Sequence, residues 1–176
     1  MPHDSNADQS QVITLRKPAA TDGPTIWKLI RACKPLDENS LYANLIQAEH
    51  FRETSVIAEI GGEVVGWISG HIIPKSGDFF VWQVAVGEKA RGVGLGKTML
   101  LDLIARNAVK DAPNLQTTIT KSNAASWGLF QSFARLIGGA MHDEPHFIRE
   151  IHLDDAHPTE HLVTISLPPA ADRQRG

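Results

Sequence analysis

The sequence predicts an α+β fold, a mixed α/β arrangement in which a central, mostly antiparallel mixed sheet is flanked by helices. Three observations predict it. The apolar period changes from helical to strand-like after His50, and the segment Phe79 to Val86 is apolar on both faces, as a central strand must be. Helical spacing then returns behind a glycine-rich loop.

The elements follow in the order β-αα-βββ-α-β-α-ββ. Val12 to Leu15 is a short β-rich run, and Pro24 suits the first turn of a helix. Ile26, Leu29, Ile30 and Cys33 recur at helical spacing, which makes the lone cysteine a core residue of that face. Lys34-Pro35 ends the helix, and Ser40 is positioned to cap a second one carrying Leu41, Leu45 and Ala48 on one side. Ser55 to Ile60 and Val64 to Ile73 are strand-like, with Gly61-Gly62 as a two-residue hairpin turn. In the third strand, strict alternation puts Phe80, Trp82, Val84 and Val86 on one face and Phe79, Val81, Gln83 and Ala85 on the other. A helix with Leu100, Leu103, Ile104 and Ala108 follows, then a strand around Thr117 to Thr120. The next helix carries Trp127, Phe130, Ala134 and Ile137 and closes at Gly138-Gly139, and Phe147 to Ile151 and Leu162 to Leu167 are the last two strands.

The chain has 176 residues, 42% of them apolar, with 17 basic and 20 acidic side chains and a formal net charge of −3. That length suits one domain, read as residues 12–167 between a disordered leader (1–11) and a flexible tail (168–176). One cysteine excludes an internal disulfide framework and a cysteine-rich zinc site. Without a basic run there is no footprint for nucleic acid or an anionic membrane, so small molecules are the expected partners. The start lacks a secretory signal pattern, and the apolar run from Val64 to Ile73 falls short of the ~20 residues a membrane span needs, so a cytoplasmic protein is expected.

Arg91-Gly92-Val93-Gly94-Leu95-Gly96-Lys97-Thr98 lies where a strand meets a helix, a natural phosphate site. A Walker loop demands glycine at position 91, which is arginine. A dinucleotide fingerprint starting at Gly92 demands glycine at 97, which is lysine, and one starting at Gly94 demands it at Met99. The pattern that fits is [QR]-x-x-G-x-[GA], carried by Arg91, Gly94 and Gly96. It resembles the coenzyme A loop of the GCN5-related N-acetyltransferases (GNAT), and the order of elements and the stretch from Asn123 to Phe130 are similar to that family too.

The resemblance implies a GNAT fold with acetyl-CoA as co-substrate. Amides of Arg91, Gly92, Val93, Gly94, Leu95, Gly96 and Lys97 would hold the pyrophosphate, Val84, Ala85 and Val86 would pair with the pantetheine arm as an added strand does, and Asn123 and Trp127 would lie on the coenzyme side. Many members carry a tyrosine acid in the helix after the asparagine. Phe130 stands there in this chain, and Tyr42 is its only tyrosine.

Arg16-Lys17-Pro18, the block from Cys33 to Tyr42, Trp67-Ile68-Ser69-Gly70, Trp82-Gln83-Val84-Ala85-Val86 and His157-Pro158-Thr159-Glu160 are similar to one branch of the family. Its members acetylate the 4-amino group of L-2,4-diaminobutyrate in ectoine biosynthesis, as homodimers. A diamine with a carboxylate needs anionic ligands for its ammonium groups, and Asp37 and Glu38 lie just before Tyr42. The resemblance implies Asp37, Tyr42, Trp82 and Glu160 at the substrate and Tyr42, Glu160 and His157 as catalytic residues, with Glu160 and His157 the candidates to take the proton from an amine of pKa about 10. The spacings His142/His146 and His157/His161 each contain a proline, which spoils the helix that would pair them, so no metal is expected. An acetyltransferase for another amine and a non-catalytic acyl-CoA sensor on the same fold stay open alternatives.

Overall fold

A computed structural model describes residues 12–173; the predicted leader falls outside them. The order of elements is β1 (Ile13–Arg16), α1 (Gly23–Ala32), α2 (Leu41–His50), β2 (Val56–Ile60), β3 (Glu63–Ile72), β4 (Phe79–Val86), α3 (Leu95–Ala105), β5 (Asn114–Thr120), α4 (Ala124–Ile137), β6 (Met141–Phe147), α5 (Arg149–His152) and β7 (Glu160–Ser166). The strands form one seven-stranded sheet in the order β1-β2-β3-β4-β5-β7-β6, antiparallel except where β4 meets β5. Local chemistry sets the boundaries: Ser40 accepts a hydrogen bond from the Ala43 amide, Gly61 and Gly62 turn the β2–β3 hairpin at positive φ, and Gly138 closes α4 in the left-handed region.

Two cores form, one on each face. Ile26, Ile30, Cys33 and Ala48 of the α1/α2 side pack on Ile57, Trp67 and Ala85, while Met99, Leu100 and Leu103 of α3 and Phe130 and Phe133 of α4 pack on the opposite face. Arg16 locks β1 in place by donating to Asp22 and Glu59, and that pairing holds the Asp22 carboxyl below its ordinary range.

The structure corrects four expectations. Strict alternation along β4 fails, because the ladder with β3 slips between Ser69 and Gly70, opposing Ser69 to Gln83 but Gly70 to Val81. Trp82 is the extra residue of this bulge. Phe79 and Val81 therefore face the α3/α4 core, whereas Gln83 and Ala85 turn to the α1/α2 side, and Trp82 is 50% exposed rather than core. Second, α2 buries Asn44 and Gln47 beside Ala48, and Leu41 is exposed, so the inner face of this helix is polar. Third, the strand expected at Phe147 to Ile151 is a strand ending at Phe147 followed by α5. As an edge exposed on both faces, β6 needs no apolar alternation, which hid it. Fourth, α3 stops at Ala105, short of Ala108. Beyond β7, residues 168–173 form a turn in which the Arg173 guanidinium donates to the carbonyls of Pro168, Val109 and Ala112.

Candidate active site

The site starts from a gap in the sheet. β4 and β5 pair only at Phe79 with Leu115 and Phe80 with Gln116 and then part, leaving the β5-facing edge of β4 open from Val81 to Val86. β4 leads into the glycine-rich loop. Gly92 and Gly94 hold φ of +79° and +80°, which an L side chain adopts only under strain, and Gly94 caps α3 without a side chain. Among the described residues, none of the six amides from Gly92 to Lys97 has a hydrogen-bond partner; the first bond of the helix is from Thr98 to Gly94. Six free N–H groups at the positive end of a helix dipole make an anion cradle. A Cβ at Gly96 would stand 3.0 Å from Leu129, so glycine lets α3 approach α4 here. The Arg91 side chain turns back to donate to the Val86 carbonyl, and Lys97 donates to the Ser132 hydroxyl.

The loop between α1 and α2 covers the other side of β4. The Gln83 side chain accepts from the Asn39 amide at 2.9 Å and donates to the Asp37 carbonyl at 2.9 Å, which draws Asp37 to the strand segment holding Trp82 and Val84. The Asp37 side chain is exposed with no ion-pair partner among the described residues. Glu38 is engaged: it takes Lys34 and Arg31, and the Lys34 hydrogen bond pulls its carboxyl below the ordinary value. Tyr42 is 71% exposed on α2, one of two large aromatic side chains, with Trp82, that this side offers to solvent. Beneath them, Asn44 Oδ1, the Gln47 amide, Trp67 Nε1 and Ser69 Oγ are buried without hydrogen-bond partners among the described residues, so the wall between α2 and β3 is polar inside.

Across the gap, Glu160 opens β7 opposite Thr120, the last residue of β5. Its neighbour His161 packs edge-on against Trp127 of α4, so by strand alternation Glu160 points to the α1/α2 side. His157 is exposed in the approach to β7, and an open cavity of about 470 Å³ lies on the His161 side of that strand, lined by Lys121, Ser122, Pro145, Ile148, Pro158 and Thr159 as well; neither His157 nor Glu160 lines it. His161 Nδ1 lies 2.8 Å from an Asp143 oxygen. Asn123 caps α4 through its Oδ1, and the Trp127 indole donates to the Thr120 carbonyl. Phe130 is buried in the core, so α4 presents no acid at that position. Cys33 is buried too, its thiol donating to the Val86 carbonyl at 3.3 Å, which removes it as a nucleophile. Gln83 was legible only as a polar residue in an apolar strand, and its role required the bulge.

A family model described as acetyltransferase (GNAT) matches residues 24–134. L-2,4-diaminobutyric acid acetyltransferase of Methylotuvimicrobium alcaliphilum is 47% identical over 155 residues, 88% of this chain and 90% of that protein. The enzyme of that name from Chromohalobacter salexigens is 41% identical over 88% of this chain and 81% of its own length. Among solved structures, diaminobutyrate acetyltransferase EctA from Paenibacillus lautus, in complex with L-2,4-diaminobutyric acid and coenzyme A, superposes with a TM-score of 0.84 at 34% identity, over 89% of this chain and 96% of that one. An open β4 edge beside a cradle of free amides is what a coenzyme A pyrophosphate and its pantetheine arm require, and with these relatives it establishes that the chain belongs to the GNAT acetyltransferase family, in the branch of the L-2,4-diaminobutyric acid acetyltransferases.

Proposed function

We propose that the protein transfers the acetyl group of acetyl-CoA to the 4-amino group of L-2,4-diaminobutyrate, giving N4-acetyl-L-2,4-diaminobutyrate, by direct attack of the amine. The observation that carries the reading is likeness to diaminobutyrate acetyltransferases along nearly nine-tenths of the chain. Acetyl-CoA supplies the thioester carbonyl that the amine attacks. The amides of Gly92 to Lys97 hold the pyrophosphate, with the Asn123 side chain nearby, and the open edge at Val84, Ala85 and Val86 pairs with the pantetheine amides.

An amine of pKa about 10 must lose a proton before it attacks. In this reading Glu160 and His157 receive it, directly or through water, and the exposed Tyr42 hydroxyl is the proton donor for the departing thiolate. Asp37 receives a substrate ammonium, and Trp82 shields the reacting atoms from water. Residues Arg91 and Trp127 support the site by holding the Val86 and Thr120 carbonyls.

The protein acts in the cytoplasm, in ectoine synthesis under osmotic stress, as a homodimer. Among the described residues no helix is long and apolar enough to cross a membrane. The exposed edge of β6, flanked by the exposed Phe147 and Ile151, supports a second copy as the partner. Thiol release from acetyl-CoA tests the substrate: turnover with diaminobutyrate should exceed that with polyamines, lysine or aminoglycosides by at least about 100-fold in kcat/KM, a gap of roughly 3 kcal/mol. Equal or greater turnover of another amine overturns the assignment.

A further inference from the structure

We propose that Gln83 is a positioning residue that sets the distance between the amine-recognising loop and the strand that receives the thioester; this rests on the reading that Asp37 and Tyr42 bind the amine. The bulge at Trp82 turns Gln83 from the α3/α4 core to the α1/α2 side, where it is 8% exposed. There both ends of its amide are engaged, the oxygen by Asn39 and the nitrogen by the Asp37 carbonyl. Other bonds of the loop run along the chain: Leu36 to Cys33, Asn44 to Ser40, and the Glu38 pairs back to Arg31 and Lys34. Among the described residues, only Gln83 and the Cys33 thiol hydrogen-bond this loop to the sheet, and both reach β4.

The next residue along β4 is Val84, at the open edge. One side chain therefore fixes the acceptor loop against the donor strand, and it does so by a two-ended hydrogen bond that no apolar or acidic residue reproduces. A shorter or carboxylate side chain loses the donor to Asp37, and the loop drifts from the strand. Displacement of about 1 Å in such an alignment costs on the order of 100-fold in rate.

The test uses Gln83→Met, which keeps the volume and removes both bonds, and Asn39→Ala, which removes one bond from a half-exposed loop and leaves the core alone. Steady-state kinetics, direct acetyl-CoA binding and amide hydrogen exchange of residues 34–40 in the ligand-free protein are measured on both. Expected for Gln83→Met are a raised KM for diaminobutyrate with a lowered kcat, a combined loss of about 10–100-fold, an acetyl-CoA dissociation constant within about twofold of the parent, and faster exchange of the loop. Asn39→Ala should show a smaller shift in the same direction. Unchanged loop exchange in folded Gln83→Met overturns the proposal whichever amine is the substrate. So does a loss shared equally by acetyl-CoA binding. If the parent protein fails to acetylate diaminobutyrate while Gln83→Met still frees the loop, the substrate assignment falls and the clamp stands.

Discussion

His71 on β3 lies between the rings of Phe51 and Phe80, with centroids 5.6 and 5.4 Å away, and burial pushes its imidazole below the ordinary value of 6.5. A depressed histidine binds fewer protons folded than unfolded, so stability falls as pH drops through 6.5 and the full penalty is reached below the folded value. His71→Gln should flatten the stability curve between about pH 7 and 5. Denaturant titrations across that range check it, and an unchanged slope contradicts it. The paired Asp22 and Glu38 act in the same sense at lower pH, since their depressed carboxyls lose their contribution as pH falls below the ordinary carboxylate range. At the site, Asp37→Asn, Tyr42→Phe and Glu160→Gln should each lower kcat/KM for the amine at least about tenfold with acetyl-CoA affinity unchanged. Calorimetric titration with coenzyme A beside steady-state kinetics separates the two effects. Chemically distinctive residues such as the lone tyrosine and the Asp37-Glu38 pair stood out in the sequence. The engagement of Glu38 by Lys34 and Arg31 did not, because ion pairing depends on loop geometry that residue spacing leaves open.

Among the elements, the loop entering α3 depends on backbone conformation. Gly94→Ala puts a Cβ at ordinary contact distance, 3.9 Å, from Lys97 Cε, so its cost is the left-handed φ, about 1–2 kcal/mol. Coenzyme A affinity should fall further than stability, because relaxing Gly94 re-aims the amides beside it. Gly128→Ala in the interior of α4, where a Cβ meets open space, should instead stabilise by about 0.5–1 kcal/mol without changing affinity. Thermal melts paired with coenzyme A titrations distinguish the two. Elements with a buried face were legible: α4 spans Ala124 to Ile137 and β4 spans Phe79 to Val86, each marked by apolar spacing and by turn residues at its ends. β6 was missed because His142, Asp143, Glu144 and Pro145 face solvent on an edge, where no apolar period is imposed. The bulge at Trp82 was missed for another reason: alternation reads every strand as regular, and only the partner's register reveals an extra residue.

At the scale of the whole molecule, one sheet runs through both cores, so residues 12–167 are proposed to unfold as a single unit. Circular dichroism and tryptophan fluorescence should then report the same melting transition, raised by about 2.7 kcal/mol when coenzyme A is present at about 100 times its dissociation constant. Two separate transitions would contradict a single unit. The order of strands and helices through α4 followed from changes of period and from the glycine loop, α5 and the place of β6 did not, and the opening between β4 and β5 is a property of pairing across the sheet and could be read only from the fold. The central claim is a chemical one, that acetyl passes to the 4-amino group of diaminobutyrate. Mass and NMR analysis of the product formed from acetyl-CoA and L-2,4-diaminobutyrate tests it most directly. The expected result is a single monoacetylated species whose new amide proton couples to the C4 methylene; an amide on the C2 methine, or no acetylated product, would contradict it.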